Sequence, residues 1–151
     1  MKKRNLKDSM KQVYPTFILE DEGYHLVYVP DMEIYTQGEG FANAIEMARD
    51  AIGLKGIVLE DSGLELPVPS SSALVMGKAL EAIEDIDFTK GVLTFVDIDF
   101  AEYRRAADNK TVRRNVTLPN WLNVEAERAN INVSGVLQEA LMKALGVKRP
   151  Y

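Results

Sequence analysis

No cysteine occurs among the 151 residues. Disulfides, thiolate chemistry and cysteine-bearing zinc sites are therefore excluded. His25 is the sole histidine, and strand alternation sets it opposite Tyr24 and Leu26, an ordinary surface or half-buried position. Long apolar runs are missing too: Ile57-Val58-Leu59 and Ala73-Leu74-Val75-Met76 fall far short of the roughly 20 residues that cross a bilayer. Lys2, Lys3, Arg4 and Lys7 crowd the N-terminus, but no apolar stretch follows them, so they do not form a secretory signal. The expectation is a soluble, cytoplasmic protein with no membrane partner. There is no internal repeat, no low-complexity tract, no nucleophile and base pair and no glycine-rich phosphate loop.

What the chain does have is enough apolar material, 46% of residues, to bury a real core in one domain or two small ones. Its formal charge of −5 is unevenly spread. From Lys110 onward seven basic residues stand against three acidic ones, a net +4, whereas the preceding residues carry eleven basic and twenty acidic, a net −9. A basic module on an acidic body suits one part that meets phosphate and another that meets something basic. The plainer reading is surface charge that keeps the protein soluble.

Residues Tyr14 to Leu19 and Tyr24 to Val29 read as two strands. Glu20-Asp21-Glu22-Gly23 forms the hairpin loop between them, with the glycine supplying a positive φ. Pro30-Asp31 ends the second strand, and Ile34-Tyr35-Thr36-Gln37-Gly38 reads as a third. Phe41, Ile45, Ala48 and Ile52 then recur at helical spacing, which gives an amphipathic helix packed on a small sheet. Ser62-Gly63 and Pro67-Val68-Pro69-Ser70 mark a loop, Ala73 to Ile83 a short helix, and Val92 to Val96 a buried strand. The polar run Tyr103 to Lys110 joins segments of opposite charge and reads as a linker.

Beyond it, Arg113-Arg114-Asn115-Val116-Thr117-Leu118-Pro119 is a short strand ended by a proline that opens a helix. A second helical pattern follows after Asn130-Ile131-Asn132. Alternation puts Arg113, Asn115 and Thr117 on one face and Val116 and Leu118 on the other. Arginine offers paired donors to guanine, asparagine pairs with adenine, and threonine meets a base edge or a thymine methyl. One strand and two short helices cannot bury Val116, Leu118, Trp121, Leu122, Ala126, Ala129, Val136, Leu137, Ala140, Leu141 and Leu145 alone, so the pattern predicts an intertwined dimer whose ribbon lies in the major groove. The alternative is an ordinary edge strand without a ligand. Asn132 suits the cap of the second helix, leaving the amides of Val133 and Ser134 for a DNA phosphate, while Asn130 takes the left-handed conformation that closes the first.

Several motifs, in order, resemble the HicB antitoxin family: Tyr14-Pro15 opening the first strand, Gly23-Tyr24 starting the second, Pro30-Asp31 closing it, and Thr36-Gln37-Gly38 before an alanine-bearing helix. Leu66-Pro67-Val68-Pro69-Ser70, Val96-Asp97-Ile98-Asp99 and the Arg113 to Pro119 run continue the series. The resemblance extends from about Gln12 to Gly146. It implies an N-terminal domain like a partial RNase H fold that neutralises a small, basic, RNA-cleaving toxin of the HicA type, and a C-terminal domain that binds operator DNA of its own operon. Two departures stand out. Met1 to Ser9 precede the usual start, leaving either a start at Met10 or a mobile tail, and Asp31-Met32-Glu33-Ile34 stands where the family often has a Pro-Gly turn.

The expectation is an α+β chain: residues 10–102 a β-β-β-α-β toxin-binding domain, 103–110 a linker, and 111–151 a ribbon-helix-helix (β-α-α) domain that makes a homodimer and then a dimer of dimers. Arg113, Asn115, Thr117, Asn132, Val133 and Ser134 are the expected DNA contacts. Glu20, Asp21, Glu22, Asp31, Glu33 and Glu39 are the candidate toxin contacts. No catalytic residue, metal or cofactor is expected. Two rivals remain open: a ribbon-helix-helix repressor whose N-terminal domain senses a small molecule, and a metal-dependent nuclease in which Asp97 and Asp99 meet Asp31, Glu60 or Asp61.

Overall fold

The computed structural model describes residues 11–108 and 110–149; the expectations for Met1 to Ser9 and for a start at Met10 lie outside the described residues. The chain divides after Arg104 into two compact units.

In the first unit β1 (Lys11–Asp21), β2 (Tyr24–Val29), β3 (Ile34–Gly38) and β4 (Val92–Asp99) form one antiparallel sheet in the order β3-β2-β1-β4. β1 and β4 are longer than their apolar stretches alone predict, because they pair with each other from Lys11 opposite Asp99 to Ile18 opposite Val92. Glu22 and Gly23 both have positive φ, 47° and 85°, which is the two-residue turn whose twist matches the flanking strands. Pro15 is tolerated in β1 because pairing with β2 begins only at Phe17, so its missing N–H breaks no β1–β2 bond.

Both faces of this sheet are covered, which explains the unbroken burial from Tyr14 to Ile18. On one face α1 (Phe41–Asp61) lays Ala44, Ala48 and Ile52 against Tyr14, Ile18, Val27, Val29, Val96 and Ile98. On the other, Val75 and Ala79 of α2 (Ser72–Glu81) close over Phe17, Tyr28 and Phe88. The segment from Leu64 to Ser71 links the two helices. At Asp31-Met32-Glu33-Ile34, a single 3-10 turn, Pro30–Met32, is followed by Glu33 at φ 51°; a glutamate thus takes the left-handed conformation that glycine serves in a Pro-Gly turn.

The polar run from Tyr103 is not a linker from its first residue. It continues α3 (Phe100–Ala107), whose start Asp99 caps by accepting from the Glu102 amide at 3.0 Å. Two glycines of α1 admit the helix: a Cβ on Gly56 would lie 2.1 Å from the Phe100 ring, and one on Gly53 2.6 Å from the Tyr103 ring. The polar residues are engaged at long range. Tyr103 Oη donates to Asp50 at 2.8 Å, and Arg104 meets Glu60 and Asp61 at 3.0 Å each.

The second unit holds α4 (Asn120–Arg128) and α5 (Val133–Leu145), neither with a buried residue. Residues 110–119 carry no regular secondary structure. The expected strand at Arg113 to Leu118 is therefore not formed within one chain; a ribbon is a pairing between two chains, and one chain has no strand here to offer it. The expected core is likewise open in the single chain, with Trp121 67% exposed and Val136 58%.

Candidate functional site

Asn132 caps α5, its Oδ1 accepting from the Gly135 amide at 3.2 Å. Val136 N–H donates to the Asn132 carbonyl. Of the amides that a helix start leaves without intrahelical partners, those of Val133 and Ser134 remain, in an exposed first turn. Asn130, at φ 52°, closes α4, and Ile131 N–H reaches the Ala126 carbonyl at 3.0 Å, the reach-back bond of a left-handed helix end. Arg113, Asn115 and Thr117 are all exposed in the irregular segment before α4.

The acidic candidates separate into two groups. Glu20, Asp21 and Glu22 are exposed at the β1–β2 turn. Because His25 pairs with Gly38, the end of β3 reaches the same end of the sheet and adds the exposed Glu39. Glu33 is exposed at the opposite end, where Val29 pairs with Ile34. Asp31, expected as an exposed contact, is not one: its side chain is 2% exposed. It accepts from the Ser70 amide at 2.8 Å, Ser70 Oγ at 2.5 Å and Lys78 Nζ at 3.0 Å. Burial alone would push its carboxyl up, but these bonds and the ammonium outweigh that and hold it below the ordinary value. Asp31 thus ties the turn after β2 to the start of α2. Tyr14 makes a second tie by donating to the Pro67 carbonyl at 2.8 Å; burial, then the nearby Asp31 charge, pushes its hydroxyl up to about 12.

Asp97 and Asp99 are committed to the fold. Arg49 reaches the Asp97 carboxylate at 3.1 Å and Lys11 does so at 3.3 Å, holding Asp97 below its usual range, while Asp99 caps α3. Among the described residues no group of three or more histidine, aspartate or glutamate side chains is set to hold a metal. His25 is half-buried, its ring edge-on to Phe41 at 4.8 Å. The sequence reading missed one surface: α2 leaves Leu74, Met76 and Leu80 exposed. The signal was there, since Ala73 to Leu80 contains a single charged residue.

Among the described residues no helix is long and apolar enough to cross a membrane. A family model described as "HicB_like antitoxin of bacterial toxin-antitoxin system" matches residues 14–141. Comparison with curated proteins gives no match. Among solved structures, a toxin-antitoxin complex from Streptococcus pneumoniae is similar at 26% identity and a TM-score of 0.55, over 89% of this chain and 99% of that one. The antitoxin HicB of Burkholderia pseudomallei aligns at 23% identity and a TM-score of 0.46, over 89% of this chain and 97% of that one. A HicA3 and HicB3 toxin-antitoxin complex aligns at 26% and 0.45, over 58% of this chain and 99% of that one. With the match running through both units, this chain belongs to the HicB-like antitoxin family of bacterial toxin-antitoxin systems.

Proposed function

We propose that the chain neutralises a HicA-like, RNA-cleaving toxin through its first unit and represses its own operon through its second. The observation that carries this reading is the family match across residues 14–141, which takes in both the acidic unit and the capped helices. A solved neighbour is itself a toxin-antitoxin complex. The inhibition is steric and electrostatic: acidic side chains occupy the toxin surface that would hold RNA phosphate. Glu20, Asp21, Glu22 and Glu39 are the favoured contacts, because the sheet register gathers them at one end. Glu33 belongs to a different surface, and Asp31 supports the fold.

In the second unit two chains pair their Arg113 to Leu118 segments as a ribbon, burying the apolar residues that one chain leaves exposed. Arg113, Asn115 and Thr117 read base edges, while the Val133 and Ser134 amides, set by the Asn132 cap, hold a backbone phosphate. Two such homodimers on adjacent half-sites make the dimer of dimers.

Purification under native conditions from the host, followed by mass spectrometry, tests the first half. A small, basic, near-stoichiometric partner that cleaves RNA when freed is expected. A lone assembly that still shifts its own promoter DNA would overturn the antitoxin half and favour a plain repressor. For the second half, Arg113→Ala or Asn115→Ala is expected to weaken operator binding by roughly 1–3 kcal/mol per lost base contact and to leave toxin binding intact. Unchanged DNA affinity in either variant would show that the groove face is misassigned.

A further inference from the structure

We infer that the exposed ring of Tyr35, with the Glu33 carboxylate beside it, is a binding platform for one arginine side chain of the basic toxin. The inference rests on the reading above that the first unit meets such a toxin, and it names the group that the unit recognises. Tyr35 lies on β3, an edge strand, opposite Tyr28 of β2. The two rings stack with centroids 4.7 Å apart and planes 13° from parallel. Tyr28 stands in turn 5.2 Å from the buried Phe88. One side of the Tyr35 ring is thus fixed to the core. Its other side points off the border of the sheet, where no strand follows, and the residue stays 49% exposed.

An aromatic ring held open in this way offers an electron-rich face to a cation. Its surroundings are negative. Tyr35 Oη donates to the Ala82 carbonyl at 3.3 Å, at the C-terminal end of α2, where the helix dipole is negative. Glu81, Glu84 and Asp85 are exposed around that helix end. Glu33 is close enough for its charge to act on the Tyr28 hydroxyl, which is pushed up to about 12 by burial, then by Tyr35, and further by Glu33 and Asp31.

The turn before β3 fixes Glu33. Its amide donates to the Pro30 carbonyl at 3.2 Å, Lys55 Nζ donates to the Met32 carbonyl at 2.5 Å, and Asp31 is anchored to Ser70 and Lys78. Both of these lysines are thereby engaged, and among the described residues no cation pairs with Glu33. Arginine suits the vacancy better than lysine. A guanidinium lies flat on an aromatic ring while its edge gives paired donors to a carboxylate, a combination that an ammonium cannot make. A nucleobase also stacks on tyrosine, but its phosphates would enter a negative field. The platform is continuous with the acidic end of the sheet, because Glu33, Tyr35 and Gln37 form an exposed row along β3 towards Glu39. The row is about 20 Å long, within the span of a single protein partner.

The test titrates the full-length chain with the toxin that copurifies with it. Tyr35→Leu and Glu33→Gln are each expected to weaken toxin binding about 3- to 30-fold, and the double variant to lose less than the product of the two, because both residues hold the same guanidinium. Tyr35→Phe keeps the ring and should bind as wild type does. Glu33→Gln alters only an exposed side chain, so its fold is kept and its result stands if Tyr35→Leu unfolds. In the wild-type complex one toxin arginine is expected to resist modification by phenylglyoxal, read by mass spectrometry, and to become reactive when Glu33→Gln replaces wild type. Unchanged affinity in Glu33→Gln and Tyr35→Leu, for a toxin that the wild type binds, overturns this inference and leaves the antitoxin reading standing. Weakened binding with no arginine newly exposed overturns the arginine assignment. Loss of operator binding in place of toxin binding overturns the inference too and assigns the platform to nucleic acid. Absence of any basic partner overturns the antitoxin reading and this inference with it.

Discussion

Asp31 and Glu33 are two residues apart and carry the same charge, yet the first is sealed under Ser70 and Lys78 and the second faces solvent. Asp31→Asn is expected to cost about 1–3 kcal/mol at neutral pH, because buried donors lose a charged acceptor. The pH dependence has a definite sign. The folded carboxyl lies below its unfolded value, so its contribution is complete above about pH 4 and fades as pH falls through the folded value. Urea midpoints of wild type and variant should therefore stand a constant distance apart from pH 6 to 8 and converge in acid; a gap that persists in acid would show that another group is responsible. None of this was legible in the sequence, where the acidic residues of this region look alike. The partners that bury Asp31 come from 39 and 47 positions away. The Asn132 cap was legible because its acceptor and donor are three residues apart.

Periodicity located β1 to β3, α1, α2 and the apolar part of β4, while the hairpin turn proved tighter than the four residues read for it, since Asp21 pairs with Tyr24. The ends went astray where long-range contacts extend an element. β4 runs on past its apolar stretch to Asp99 against β1, and the polar residues after it form α3 because Arg104 and Tyr103 find acids on α1. The α1–α3 contact depends on the absence of two side chains. Gly56→Ala is expected to destabilise the first unit by about 1–3 kcal/mol, since Phe100 would have to yield to a Cβ that now lies 2.1 Å from its ring. Thermal melting measures this. A midpoint raised by the better helix former would mean that Phe100 moves aside at no cost. The strand expected at Arg113 to Leu118 rested on a pattern of alternate residues, and the single chain forms none there.

For the molecule as a whole, the two units differ in how stability is reached. Residues of the first unit bury a core on both sheet faces, whereas no residue of α4 or α5 is more than half-buried within one chain. Melting of the second unit is therefore expected to rise with protein concentration, a tenfold increase adding ~1.4 kcal/mol to a dimeric transition. Circular dichroism melts over a hundredfold dilution series check this; a midpoint independent of concentration would mean that the unit is stable alone. The sheet itself ends in two open borders, β3 and β4. β3 is five residues long, and on β4 the Arg49 guanidinium donates to the Asp97 carbonyl at 3.0 Å as well as to its carboxylate. That arginine occupies a main-chain acceptor an incoming strand would need, and it adds charge to the border. A short strand at one border and bound charge at the other discourage the sheet from zipping onto that of a neighbour, so edge-to-edge growth into fibres is blocked at its first step.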